Sequence, residues 1–232
     1  KYIAYIDCFI SLVKLRRGHK LCYAELVSKD KPYMKGENVW NVCCQEAVSN
    51  NIMLGSTNNI NNLIITGPNG SGKSTFIKSI MESIILSQTF GIATADSFSL
   101  TPFYSLTTYL NIPDCQGKES LFQAEMSRCY NFLNELKKND DESKFSFNII
   151  DEIFVSTNYY EGVSAACAVV NKMTDYSSSL NIVITHYDML SQIQNPKIIN
   201  KYFTIDINSK GEMVRDYKMR DGYNSKHLAL KL

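Results

Sequence analysis

Asn62-Leu63-Ile64-Ile65-Thr66 followed by Gly67-Pro68-Asn69-Gly70-Ser71-Gly72-Lys73-Ser74 is the stretch whose reading decides the fold. The first part is a short apolar run that reads as a buried parallel strand. The second satisfies the pattern GxxxxGK[ST]. Beyond it, Phe76, Ile77, Ile80, Met81, Ile84 and Ile85 fall on one face of a helix. Strand, Gly-rich loop and helix in this order form a phosphate cradle: backbone N–H groups turn inward and the new helix adds its positive end. Lys73 is expected to reach the β- and γ-phosphates, and the Ser74 hydroxyl to ligate Mg²⁺. ATP and Mg²⁺ are therefore the expected ligands, and the fold class expected is α/β, of the P-loop NTPase type.

A phosphate loop of this kind needs an acidic element on a neighbouring strand. Phe145 to Ile150 is a second apolar run, closed by Asp151-Glu152. Asp151 at the strand end is expected to hold Mg²⁺ through water, and Glu152 to polarise the attacking water as general base. A third run, Asn181-Ile182-Val183-Ile184-Thr185, ends at His186. That position places His186 beside the γ-phosphate, as a sensor or hydrogen-bond donor. Strands alternating with helices argue for a mainly parallel sheet flanked by helices.

Working outward, Ile3, Ile6, Ile10 and Val13 have helical spacing and lead into Lys14-Leu15-Arg16-Arg17, which reads as a packing helix with a basic last turn. Residues 21–54 suggest short strands and loops. A Ser/Thr/Pro/Asn-containing stretch runs from about Ala95 to Gly117. Phe122, Met126, Cys129, Leu133 and Leu136 form the stripe of another helix, and one more begins near Tyr160. Tyr202 to Ile207 and Glu212 to Met219, around Asn208-Ser209-Lys210-Gly211, signal a hairpin, an antiparallel portion near the end of the sheet.

Composition narrows the classes. The 232 residues carry 24 Lys and Arg against 23 Asp and Glu, a net charge of +1, so no broad field attracts nucleic acid or an anionic membrane. A DNA partner would have to be held by other domains or by a local patch. The seven cysteines have no CxxC pair and the three histidines do not cluster with them, which argues against zinc and for a reducing, intracellular compartment. No apolar run approaches the about 20 residues that span a bilayer, and no signal peptide is visible. Opening on Lys1 inside a helix, the chain reads as a piece of something longer.

Thr66-Gly67-Pro68-Asn69 with Gly72-Lys73-Ser74-Thr75, then Asp151-Glu152-Ile153, then Thr185-His186-Tyr187 resemble the ATPase domain of the MutS DNA mismatch-repair proteins, a branch of the ABC-type ATPases. Glu119 to Ser127 resembles the family segment S-T-F-x-x-E-M-S/T, and Asp151 to Gly162 resembles D-E-I-G-R-G-T-S-T-x-D-G. Tyr217-Lys218-Met219 through Gly222-Tyr223 is similar to the family's final strand. The resemblance covers nearly the whole chain. It implies that residues 1–20 are the end of the lever-helix region and that 21–232 are an ABC-type ATPase domain with its C-terminal dimerisation helices cut short. It also implies a second ATPase subunit, in a homodimer, whose nucleotide Ser120 approaches in trans. Asn50 would lie near the adenine, Thr75 would join the nucleotide contacts, and Thr157 and Asn158 would sit at the dimer interface. DNA would be bound through other domains of the parent protein, in a DNA-dependent ATPase of mismatch repair.

The chain departs from the family pattern in three places, one of them Glu161 where the family has aspartate. P-N-M-G-G-K is Pro68-Asn69-Gly70-Ser71-Gly72-Lys73, nearer to general ABC ATPases, and G-R-G-T-S-T is Phe154-Val155-Ser156-Thr157-Asn158-Tyr159. Two other readings stay open: an ABC ATPase of a transporter or chromosome-structure kind, and a nucleotide-dependent dimerisation module. No L-S-G-G-Q segment precedes Asp151, which counts against the first. Lys73, Asp151, Glu152 and His186 together count against the second.

Overall fold

A computed structural model describes residues 2–18, 21–55, 59–109 and 121–223. In chain order the elements are α1 (Tyr2–Gly18), β1 (Cys22–Leu26), β2 (Met34–Val39), β3 (Asn50–Leu54), β4 (Asn62–Thr66) and α2 (Lys73–Phe90). They continue through β5 (Ile92–Ala93), β6 (Ser97–Leu100), β7 (Ser105–Tyr109), α3 (Leu121–Asp141), β8 (Ser146–Asp151), α4 (Tyr159–Met173) and β9 (Ser179–Ile184). A 3-10 turn, Asp188–Gln192, precedes β10 (Ile198–Tyr202), and the short strands β11 (Asp206–Ile207), β12 (Met213–Val214) and β13 (Arg220–Asp221) close the series.

The larger sheet has the order β13-β10-β4-β9-β8-β7. Its five strands from β10 to β7 run parallel, and β13 is an antiparallel edge. Parallel strands need helices on both faces, and here they have them. Leu63, Ile65, Phe147, Ile149 and Ile182 pack with Phe76, Ile77, Ile80 and Ile84 of α2, and beyond these with Met34, Phe98 and Leu100 of the smaller sheet. Ile64, Ile150 and Val183 face the other way, onto Cys129, Phe132 and Leu136 of α3 and Ala166, Val170 and Met173 of α4. Each Leu or Ile side chain so buried contributes roughly 1.5–3 kcal/mol relative to exposure. The smaller sheet, β3-β2-β6-β1-β5, is mostly antiparallel. The whole is an α/β arrangement of mixed sheets with four helices among the described residues. β11 and β12 pair antiparallel where the hairpin was expected, though over fewer residues.

A buried polar ladder fixes the register of the three central strands. Asn148 Nδ2 donates to Asn181 Oδ1 at 2.9 Å, and Asn181 Nδ2 donates to Asn62 Oδ1 at 2.8 Å. All three side chains are buried, and they are direct neighbours in the strand pairing. A slip of one residue would leave these amides unpaired in the core, which disfavours every other register. The strands consequently end at one level: Ile65 and Asp151 both pair with Ile184.

Two expectations are corrected. The helix over the first residues does not pack. α1 buries no residue, and Tyr2, Ile3 and Phe9 are 86%, 83% and 64% exposed, because no other described element comes over its apolar stripe. The stretch from Ala95, to which the sequence pattern assigns no element, contains strands β6 and β7; β7 is hidden because Ser105-Leu106-Thr107-Thr108 is only partly buried at the sheet edge. In α3, Phe132 takes a core place and Met126 is exposed, a small rotation of the expected stripe. The six cysteines among the described residues are free thiols. No helix among the described residues is long and apolar enough to cross a membrane.

Candidate nucleotide site

The C-terminal ends of β4, β8 and β9 bring three polar segments together, at the edge where open parallel sheets bind ligands. β4 ends at Thr66 and turns at once into the Gly-rich loop, which closes at Gly72, the N-cap of α2. Glycine is required twice here. Gly67 has φ 145° and a Cβ on it would stand 2.5 Å from the Phe203 carbonyl oxygen. Gly72 has φ 107°, a left-handed conformation, and its Cβ would stand 3.1 Å from Tyr217 Cδ1.

Lys73 is buried, and its Nζ donates to the Gly67 and Pro68 carbonyl oxygens at 2.7 and 3.0 Å. Burial pushes its ammonium pKa down, while Glu152 and Asp151 nearby pull it back up. The ammonium thus sits inside the loop. Ser71 Oγ, also buried at the loop, has no partner among the described residues, nor does Thr66 Oγ1 at the end of β4. Orphaned buried hydroxyls beside a cationic cradle fit an anion with acceptor oxygens.

Ser74 Oγ donates to Asp151 Oδ2 at 3.3 Å. Burial, and then the neighbouring Glu152 charge, push the Asp151 carboxyl up. Glu152 Oε1 accepts from His186 Nε2 at 2.5 Å, joining the ends of β8 and β9. Glu152 and Phe154 have φ of 55° and 58°, uncommon for residues with side chains and a place where backbone strain is stored. What holds this turn is burial of Ile153 and Phe154 and a hydrogen bond of 2.8 Å from the Tyr187 hydroxyl to the Phe154 carbonyl. The N–H of Glu152 also donates to Ile184 O at 3.1 Å.

Two cavities flank the loop. One, of about 330 Å³, is lined by Asn69, Gly70, Lys73, Ser74 and Glu152. The other, of about 290 Å³, is lined by Asn41, Cys44, Asn50, Phe76 and Ser79 among others. Both have Gly72, Thr75 and Tyr217 in their walls, so a phosphate-sized polar space runs into a less polar one past Tyr217. Their volumes lie near the low end for small-molecule clefts, about 300 Å³. The 41–44 wall is tied to α2: Glu82 accepts from Asn41 Nδ2 and from Val42 N, each at 3.3 Å.

The expected site residues fall into three groups. Lys73, Ser74, Asp151, Glu152 and His186 converge, with Pro68, Asn69 and Gly70 on the loop and Thr75 in the first turn of α2. Asn50 does line the less polar cavity, but its amide is committed: Nδ2 donates to Tyr217 O at 2.9 Å and Oδ1 accepts from Met219 N at 2.7 Å. It holds the segment that carries Tyr217. Thr157 and Asn158 organise the start of α4, where Asn158 Oδ1 accepts from Glu161 N at 3.0 Å and Thr157 Oγ1 donates to Glu161 Oε2 at 2.9 Å. Ser120 lies outside the described residues. Tyr217 was missed as a site residue, and no local pattern marks it, since it reaches Gly72 from far along the chain. Among the described residues no group of three or more His, Cys, Asp and Glu could hold a metal by itself.

Comparison with known proteins identifies the family. The family model for MutS domain V matches residues 63–232. The DNA mismatch repair protein MutS of Persephonella marina is 30% identical over 165 residues, 70% of this chain and 18% of that protein. Those of Alkaliphilus metalliredigens and Fusobacterium nucleatum subsp. nucleatum are 31% and 29% identical over 153 and 170 residues, 65% and 72% of this chain. The chain thus spans about a fifth of the length of the curated relatives it matches, 17–18% for these three. With the domain match covering most of its length, this chain belongs to the MutS family, and residues 63–232 are its domain V.

Proposed function

We propose that the chain is a P-loop ATPase domain that binds and hydrolyses ATP with Mg²⁺, as one half of a composite dimer site in a MutS-type mismatch-repair protein. The observation that carries this is the convergence of Lys73, Ser74, Asp151, Glu152 and His186 at one level of three adjacent parallel strands, around a loop already cradling an ammonium. On this reading the triphosphate takes the polar cavity and the base takes the other, past Tyr217. Lys73 exchanges its two carbonyl partners for phosphate oxygens and meets charge developing on the γ-phosphate. Ser74 and Asp151 would hold Mg²⁺ together with phosphate oxygens, since a magnesium site of this kind takes few protein ligands. The ion supplies neutralisation of the phosphate charge.

Glu152 is the general base: it accepts a proton from the attacking water, in line with the γ-phosphate. His186 orients that carboxylate through Nε2 and lies next to the transferred group. The ATPase half-site would be completed by the Glu119 to Ser127 segment of the second copy, with DNA bound elsewhere in the parent protein. The relatives are named as DNA mismatch repair proteins, which supports that assignment.

Two variants test the reading. Lys73→Ala should abolish ATP binding in calorimetry. Glu152→Ala should bind ATP within a few fold of wild type while turnover drops by about 10²-fold or more, a general base's contribution. Unchanged phosphate release from Glu152→Ala would remove Glu152 from the chemistry.

A further inference from the structure

Arg215 stands against the phosphate loop with no carboxylate partner among the described residues. Its Nε lies 3.9 Å from the position a Cβ on Gly70 would take, the one described atom within 4 Å of that point. Two residues on, Tyr217 lies against Gly72. The segment after β12 therefore crosses the loop and sets alternate side chains on alternate glycines.

The segment is braced so that this approach is fixed. Asn50 grips the backbone of Tyr217 and Met219, and Lys218 Nζ donates to Ser49 O at 2.6 Å. Asp216, the nearest acid in sequence, is occupied by Arg220. Among the described residues no carboxylate pairs with Arg215. Its contact is with Met213 Sδ at 3.9 Å, a weak acceptor. An exposed arginine is ordinarily just solvated. This one is a permanently charged fork held beside an anion cradle, while the charges around it are spent on bracing.

We propose that Arg215 is a phosphate-binding residue: with nucleotide bound, its guanidinium leaves Met213 and takes oxygens of the phosphate tail held by Gly67–Ser74, adding a cation to Lys73. This rests on the nucleotide-binding reading above and extends it to a residue outside the loop and the strand ends.

The test is calorimetric titration of MgATP into wild type, Arg215→Met, which keeps the apolar stem, and Arg215→Lys. Arg215→Met should bind ATP about tenfold more weakly, the loss of a charge-assisted hydrogen bond. The deficit should shrink as salt is raised. Arg215→Lys should recover part of it as a point charge. Thermal unfolding without nucleotide should stay at the wild-type value, because the side chain is exposed. ATP affinity of Arg215→Met within twofold of wild type overturns the proposal and leaves the nucleotide site standing. Failure of the wild-type chain to bind ATP overturns both.

Discussion

At the scale of single residues, burial of charge sets the character of the candidate site. Lys73 and Asp151 are both displaced from their ordinary titration, each chiefly by burial of a charge. For Asp151 the folded pKa lies above the unfolded one. The folded state therefore holds that proton more tightly, and stability from this group is lost as pH rises from the ordinary carboxylate range. Asp151→Asn removes the cost and keeps an oxygen for the Ser74 hydroxyl. Without nucleotide the variant should melt above wild type at about pH 7, by about 2–4 °C per ~1 kcal/mol relieved, and the gap should close toward about pH 4. A variant that melts lower at neutral pH would mean that attraction to Lys73 outweighs desolvation. Binding of Mg²⁺ and ATP should suffer in the same variant. The chemistry at these positions was legible because each polar residue ends an apolar run: Thr66-Gly67, Asp151-Glu152 and Thr185-His186 are places where a strand leaves the core. The engagement of Asn50 with Tyr217 was not, because 167 positions separate them and no local pattern records the contact.

At the scale of elements, the turn after β8 carries the most consequence. Its two positive φ values are maintained by the Tyr187 hydroxyl on Phe154 O, and that contact is possible because α4 presents Gly162 there. A Cβ on Gly162 would collide with the Tyr187 hydroxyl and stand 2.7 Å from Phe154 O. In an open helix, Gly→Ala stabilises by about 1 kcal/mol. Here the sign should reverse, a loss of about 1–3 kcal/mol as for other overpacked positions. Release of the turn should also loosen Glu152 relative to His186. Gly162→Ala is thus expected to lower kcat about ten- to hundredfold, as a misplaced base does, with ATP affinity within about twofold. Steady-state kinetics beside a binding titration separates the two, and an unchanged kcat would show that Glu152 does not depend on this contact. The main elements were readable where burial is two-sided: β4, β8 and β9 are near-continuous apolar runs. β7 was not, since an edge strand with a half-exposed Ser/Thr pattern looks like a loop.

At the scale of the whole molecule, the sheet register delivers the polar groups of the candidate site to one edge but does not cover them. Asn69, Gly70 and Ser74 are exposed, and the Glu152 and His186 side chains keep 28% and 38% of their surface. Phosphoryl transfer gains from a site closed to bulk water, where each electrostatic contact strengthens. Among the described residues nothing makes that closure, which is the physical argument for a second copy over the phosphate cavity. ATP that is bound but not cleaved should hold two copies together. Glu152→Ala with ATP and Mg²⁺ should therefore sediment as a dimer, through an interface of about 800 Å² per partner, and return to monomer with ADP. The exposed apolar face of α1 is a second possible source of association, so Lys73→Ala serves as the control. Dimers in that variant, indifferent to nucleotide, would trace association to α1, whereas Glu152→Ala remaining monomeric at every ATP concentration would dismiss the composite site.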